Sequence, residues 1–548
     1  MEKMTDIAEE SQKVTVTKSI NIPQSAESLV RHGTTLSLLT LISRILGLVR
    51  EMVKARFLGT TALSDAFSVA FLLPNLFRRL FAEGSISVAF IPTFKEYLLE
   101  ENREKAQQAA TREFLSCMFT FLTFFVTLMV MAGILAAPFL VRIFGIEEFD
   151  ETVLLTRIMF PFLGFISLAA LFQGVLNSLH IFTPSGLAPI LLNIVTILCA
   201  YFLSPCTANP ARAMAIGIFI GGFLEAAIQL PFVIKKGQTF FITGLKRAFN
   251  NPGVRKVLRL ISPTIIGMAA YQINDLVSTA LAGRAGEGVV SSLQYSLRLQ
   301  ELFLGVFAVS IGTVMLPNLA EYAKTSQWEI YSKRLVSSIK IIALITIPVT
   351  FFSLLEGQAL IRLLFQSRSF DEQSVALTLA AFTFHMPGLL FIALNRVIAP
   401  AFYAQSDTKS PTVAGIISFA VNITLAAVLV GPFRGAGIAF ALTAASAVNT
   451  VVLIAFLKRN PNIDLGIAPS VFYILKIIFL SVIASVPVFF ISPVLREMFA
   501  GLSRVFSIGA PLLVCAAVYL LLGIVMLAII KDENFTGIVN IIKKRKNK

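Results

Sequence analysis

Apolar runs of about twenty residues, separated by short polar segments, follow one another along almost the whole chain. Each is long enough to cross a hydrocarbon core of about 30 Å as a helix. A helix satisfies its own backbone in lipid, so the pattern predicts an all-α polytopic membrane protein. About fourteen spans are expected, at 34–57, 63–94, 114–141, 153–178, 185–204, 213–234, 257–282, 289–320, 335–361, 374–402, 411–430, 435–456, 470–493 and 506–530. Several are longer than a bilayer requires, which predicts tilt or kinks. Pro74 in the second span and Pro387 in the tenth each remove a backbone donor and favour bends.

Composition agrees with the pattern. Of 548 residues, 56% are hydrophobic and 14% charged, against roughly 25% charged in soluble domains. Residues 1–33 are polar, lack an apolar core of signal-peptide length, and read as a cytoplasmic tail. Cys117, Cys199, Cys206 and Cys515 are scattered, without disulfide or metal spacing. His32, His180 and His385 are far apart and read as ordinary polar or interfacial residues. Lys235, Lys236, Lys246, Arg247, Arg255, Lys256 and Arg259 crowd one loop, while the opposite-side loop at 145–151, GIEEFDE, is acidic. This asymmetry places both termini in the cytoplasm. It absorbs most of the net charge of +15, so no nucleic-acid partner is needed to explain it. The basic end KKRKNK (543–548) is expected to lie against anionic lipid head groups.

A weak repeat runs through the chain. AFIPTFKEY (89–97) matches VMLPNLAEY (314–322) at Pro, Glu and Tyr, and FPFLGFI (160–166) resembles MPGLLFI (386–392). The separation is nearly constant, which sets two related six-helix lobes against chance matching of prolines and aromatics. Parallel repeats of this kind place a transporter's substrate site between the lobes. The expected organisation is a tail at 1–33, an N-lobe at 34–235, a basic linker at 236–256, a C-lobe at 257–458, a helix pair at 470–530 and a basic tail at 531–548.

Charges then interrupt the apolar runs. SRILGLVREMVKARFLG (43–59) carries Arg44, Arg50, Glu51, Lys54 and Arg56 inside the first span. At 100° per residue the first four share an arc of about 120°, and Arg56 points away. Arg44 lies roughly 15 Å into the span, where a charge costs on the order of 2.5–3.5 kcal/mol. One charged stripe on one face implies a wet cavity that the stripe lines. The second span adds Asp65, Arg78, Arg79 and Glu83, of which Arg79 and Glu83 are spaced to neutralise each other. The C-lobe offers Asp275, Arg284, Arg298 and Glu301. Arg298 and Glu301 read either as site-lining or as an intrahelical salt bridge, and Arg284 either as site-lining or as a residue of an outer loop. Lys340 and Arg396 lie near span ends, where snorkelling is favoured.

The chemistry implied is anion recognition. Arginine stays charged and offers a planar fork that matches phosphate oxygens, so Arg44, Arg50 and Arg78 suit a diphosphate. A proton relay would use carboxylates and histidines, and a drug antiporter for organic cations would need a cavity of the opposite sign. No Walker motif, nucleophile elbow or metal-hydrolase motif is present, which disfavours an ATP-driven pump or a membrane enzyme.

SRILGLVRE, SDAFSVAFLLPNLFRRLFAEGSISVAFIP and ALAGRAGEGVVSSLQYSLRLQELFLGVFAVSIGTVMLP resemble the MurJ/MviN family, the lipid II flippases of bacterial peptidoglycan synthesis. The resemblance is dense over 43–97 and 275–322, looser to about 460, and limited to helix placement beyond. It implies two six-helix lobes around a central cavity plus a final helix pair that forms a groove for a lipid tail. It also implies a multi-pass protein of the bacterial inner membrane that moves an undecaprenyl-pyrophosphate-linked disaccharide pentapeptide between leaflets. By motif match, Ser43, Arg44, Arg50 and Arg78 fall on the family's essential cavity positions, Asp65 on the acidic position of the second helix, and Arg298 and Glu301 on charged positions of the eighth. The chain departs at Leu72, where many members have lysine, at Leu297, where many have aspartate, and at Glu51, where aspartate is common. Asp275, Asn422 and Thr443 are the residues available for a family-type cation site, although Ala426 supplies no carboxylate there. Expected partners are lipid II, membrane lipids and cell-wall synthesis proteins. The expected drive is a coupling Na+ or H+ or the membrane potential, with no other cofactor. Alternatives are a flippase for another undecaprenyl-linked glycan and a non-transporting scaffold of a cell-wall assembly complex.

Overall fold

A computed structural model describes residues 26–80, 89–103 and 108–546, with side chains described outside 26–37, 101–103, 263–271, 306–317, 538 and 541–546. In chain order the helices are α1 (Ala26–Leu58), α2 (Ala62–Arg78), α3 (Ile91–Arg103), α4 (Gln108–Arg142), α5 (Phe149–Met159), α6 (Phe162–Ser178), α7 (Thr183–Phe202), α8 (Pro210–Lys235) and α9 (Leu245–Asn250). They continue as α10 (Pro252–Gly283), α11 (Val289–Lys324), α12 (Trp328–Phe365), α13 (Glu372–His385), α14 (Gly388–Ala404), α15 (Lys409–Leu457), α16 (Ile467–Met498), α17 (Arg504–Ile529) and α18 (Glu533–Lys546).

The predicted spans fall on these helices wherever the chain is described. Among the described residues eight helices are long and apolar enough to cross a membrane, or nine when the bent pair α13–α14 counts as one. The figure of fourteen crossings therefore rests on the sequence pattern. The charge-bearing helices α1, α10 and α11 are not among the eight. Leu135, Phe139, Phe472 and Leu513 are each more than 70% exposed, as lipid-facing side chains are.

Polar residues between the runs start the helices. Thr61, Asn209, Asn251 and Asp371 each accept a hydrogen bond from a first-turn backbone N–H of α2, α8, α10 and α13. In the acidic loop, Glu151 accepts from Arg212 Nε and Nη2 at 2.8 and 2.6 Å and from Asn209 Nδ2 at 2.9 Å. The Arg212 hydrogen bonds hold its carboxyl below the usual range.

The repeat has a structural counterpart. Met159 and His385 end helices, Phe162 and Gly388 begin the next, and Ser178 and Ala404 end those. Each pair is 226 residues apart. Pro161 and Pro387 occupy the two breaks, and the second bends by 46°. A proline break frees carbonyls that lipid cannot satisfy. At Pro387 they are met from three helices: Gln300 Nε2 donates to the His385 carbonyl, Thr443 Oγ1 to that of Phe384 at 2.7 Å and Thr350 Oγ1 to that of Met386 at 3.2 Å. Pro74, by contrast, sits inside the continuous α2.

α15 is a hairpin in one run. Ser418 Oγ donates to the Ala445 carbonyl at 2.8 Å, although 27 residues of straight helix would part them by about 40 Å. The chain reverses at Arg434, whose φ is 47°, so the two predicted spans at 411–430 and 435–456 stand. The pair α16–α17 is held to the C-lobe by buried Glu356 on α12, which accepts from Arg496 at 2.5 Å. Lys476 donates to buried Asp532 at 2.6 Å. Lys340 Nζ lies 5.7 Å from the Tyr473 ring centroid.

Apolar packing forms a core in each lobe and a third cluster that joins them. That third cluster brings Val53, Leu58 and Phe67 together with Ala282, Val289, Leu293 and Ile438. It lies at the end of the bundle that carries loops 59–61 and 284–288, and it leaves a cavity between the lobes on the other side.

Candidate functional site

The cavity has a volume of about 830 Å³, near the upper end of the ~300–1,000 Å³ usual for ligand pockets. From α1 it is lined by Ser43, Arg44, Arg50 and Glu51, and from the end of α2 by Arg78 and the Arg79 that caps it. The C-lobe contributes Asp275 from α10 and Arg298 and Glu301 from α11. Leu72 and Leu297 are also on the wall.

The charges are not equivalent. Arg50 Nη2 donates to Glu51 Oε1 at 2.8 Å and lies 5.8 Å from the Phe71 ring centroid. Arg298 Nη1 donates to Glu301 Oε2 at 3.1 Å. Arg79 lies 3.7 Å from Asp275 across the lobes, while Glu83, its expected partner, falls outside the described residues. Arg78 Nε donates to Asn75 Oδ1 at 2.8 Å. Arg44 is half-buried on the wall, and its guanidinium has neither an ion pair nor a hydrogen bond among the described residues.

Two glycines shape this geometry. A methyl group at Gly305 on α11 would collide with the Arg44 guanidinium, and one at Gly47 on α1 with that of Arg298. Each helix thus offers a notch to the other's arginine.

Other sequence candidates lie elsewhere. Lys54 is buried below the cavity in a side pocket of about 30 Å³. It donates to Ser68 Oγ at 2.6 Å and Gln294 Oε1 at 3.2 Å. Asp65 is buried in the seam at the loop end and does not line the cavity. Its Oδ2 accepts from Gly288 N at 2.8 Å and its Oδ1 from Ser291 N at 2.7 Å, so a carboxylate of the N-lobe seats on the electropositive start of α11. Around it, Tyr295 donates to the Gly59 carbonyl at 3.1 Å and Thr60 Oγ1 to Ser374 Oγ at 2.8 Å. Gly288, with φ 78°, meets the Thr60 carbonyl where a side chain would clash. Arg284 joins the same seam through the Ile143 carbonyl at 3.0 Å. The three cation-site candidates each have a protein contact. Asn422 donates to Asn274 and Ser278 at 2.7 and 3.0 Å, Thr443 serves the Pro387 break, and Asp275 faces Arg79.

A family model described as "Lipid II flippase MurJ" matches residues 54–508. The chain belongs to the lipid II flippase MurJ family. A relative from Treponema pallidum (strain Nichols), named "Probable lipid II flippase MurJ", is 46% identical over 513 residues, which cover 93% of this chain and 97% of that one. A solved structure described as "Lipid II flippase MurJ, inward closed conformation" superposes with a TM-score of 0.73 at 24% identity, covering 90% of this chain and 99% of that one. An inward-facing multidrug resistance MATE family transporter of the MOP superfamily gives 0.62 at 14% identity, over 78% of this chain and 99% of that one. These two establish the fold of a MurJ- and MATE-like transporter.

For this MurJ-family chain, a search for charges missed part of the wall. Asn75, Gln173, Ser185, Asn193, Gln229 and Gln294 line the cavity but are uncharged. Glu225, also on the wall, did leave a signal: a carboxylate in the middle of the apolar run GGFLEAAIQLPF.

Proposed function

We propose that this protein moves lipid II, an undecaprenyl-pyrophosphate-linked peptidoglycan precursor, from the inner to the outer leaflet of the bacterial inner membrane by alternating access. The observation that carries this reading is Arg44, a guanidinium on a cavity wall between two lobes with no ion pair among the described residues. Its fork suits the oxygens of a diphosphate, and membership of the MurJ family supplies the lipid.

With both termini in the cytoplasm, the seam around Asp65 is the outer gate and the cavity is loaded from the inner side. The arginines hold the pyrophosphate while the prenyl chain stays in lipid along α16 and α17. Rocking of the lobes breaks the seam and presents the head outside, and no covalent bond changes. The substrate is anionic, so the membrane potential acts on the step at about 2.3 kcal/mol per charge per 100 mV. A coupling cation would draw on Asp275, Asn422 and Thr443, each of which already has a protein contact.

The test is growth of a strain depleted of its own flippase. Arg44→Ala is expected to abolish rescue while inserting normally in the membrane. Wild-type growth from that variant overturns the reading.

A further inference from the structure

The arginines answer to one end of the substrate, and they sit on α1, α2 and α11. The stretch of wall supplied by α6, α7 and α8 is built from different chemistry. Gln173, Ser185, Glu225 and Gln229 line it, with no cation in the set. Gln229 is 1% exposed and Ser185 7%. Yet among the described residues Gln229 Oε1 and Ser185 Oγ have no hydrogen-bond partner, although both residues face the cavity. The other end of the Gln229 amide is committed, since its Nε2 donates to the Glu225 carbonyl at 3.0 Å. That bond fixes the side chain with an acceptor left over.

A buried acceptor without a donor bears the full cost of its desolvation. Its place on a cavity wall points to a donor that arrives through the cavity. Gln229 and Glu225 are one turn apart on the same face of α8, and α8 packs along α6 and α7, which brings Gln173 and Ser185 alongside. Asn193 ties this wall to the arginine helix, with Nδ2 donating to the Ser43 carbonyl at 3.3 Å and the Pro189 carbonyl at 3.0 Å. Gln229 Oε1 can only accept, so it repels phosphate oxygens and suits N–H and O–H groups, and the Ser185 hydroxyl can accept beside it.

We propose that Gln229 and Ser185, with Gln173 and Glu225 beside them, form a second subsite that holds amide N–H and hydroxyl groups of the sugar–peptide head. This rests on the flippase reading and adds a recognition step that the diphosphate cannot supply.

The experiment measures binding of two lipids to the purified full-length protein in nanodiscs: lipid II, and undecaprenyl pyrophosphate, which keeps the diphosphate and lacks the head. Gln229→Leu and Ser185→Ala are each expected to weaken lipid II binding about tenfold and to leave undecaprenyl pyrophosphate unchanged. Arg44→Ala is expected to weaken both. Ser185→Ala removes a single oxygen, so it serves if Gln229→Leu fails to fold. Equal loss for both lipids, or no loss for either, overturns the subsite; the second result means that water alone satisfies these oxygens. Equal affinity of the wild type for the two lipids also overturns it. A wild type that binds neither lipid sinks the flippase reading itself.

Discussion

Lys54 shares an arc of α1 with Arg44 and Arg50 and still does something different. Its ammonium reaches Ser68 on α2 and Gln294 on α11 and lies 4.9 Å from the Tyr295 ring centroid. It is a tie between lobes beneath the cavity. Lys54→Ala removes that tie and leaves polar partners stranded, at a cost of about 1–3 kcal/mol. Lys54→Met keeps most of the volume and is expected to lower the thermal midpoint less. Both variants should bind undecaprenyl pyrophosphate as the wild type does; loss of that binding in Lys54→Met would place the lysine in the site instead. The helical arc was readable in the sequence, because 100° per residue is set by the backbone. How far up the arc the cavity ends was not, because the C-lobe closes its floor. Asp65 was readable as an acid of the second span and expected at the site, but its seat on α11 was not readable, since that contact joins residues 223 apart in the chain.

Between α1 and α11 the fit depends on two missing side chains. Gly305→Ala should strengthen the helix by up to about 1 kcal/mol on propensity alone, while pushing the Arg44 guanidinium out of its notch. The expected outcome is unchanged or raised thermal stability with weakened binding of undecaprenyl pyrophosphate. Weakened stability with intact binding would mean that the glycine serves packing only. At this scale the apolar runs announced nearly every helix, and Pro387 announced its bend. The side chains that repair the bend were hidden. Thr443 read as a ligand candidate because nothing in its neighbourhood along the chain reveals which carbonyl it faces.

Taken whole, the molecule is two lobes zipped at one end. Thr60 and Ser374 lie on opposite sides of that seam with their hydroxyls 2.8 Å apart. A Thr60→Cys/Ser374→Cys pair, in a background with the exposed Cys206 replaced by serine, is expected to cross-link on oxidation and to block lipid II exposure at the outer leaflet until a reductant is added. Transport that continues through the cross-link would show that the seam does not open. The lobes themselves were legible from two short matches, because a break at the same place in each repeat needs proline in both. The seam was not, because its partners are backbone groups and hydroxyls that no composition rule singles out.

Arg44 carries its charge to the cavity wall with no carboxylate paired to it among the described residues. A cation of this kind draws mobile anions toward it, so chloride or another small solute anion is expected to compete with the lipid. Loading is then an exchange in which a mobile ion departs as the diphosphate takes its place. The apparent grip on the lipid weakens as the competing salt is raised.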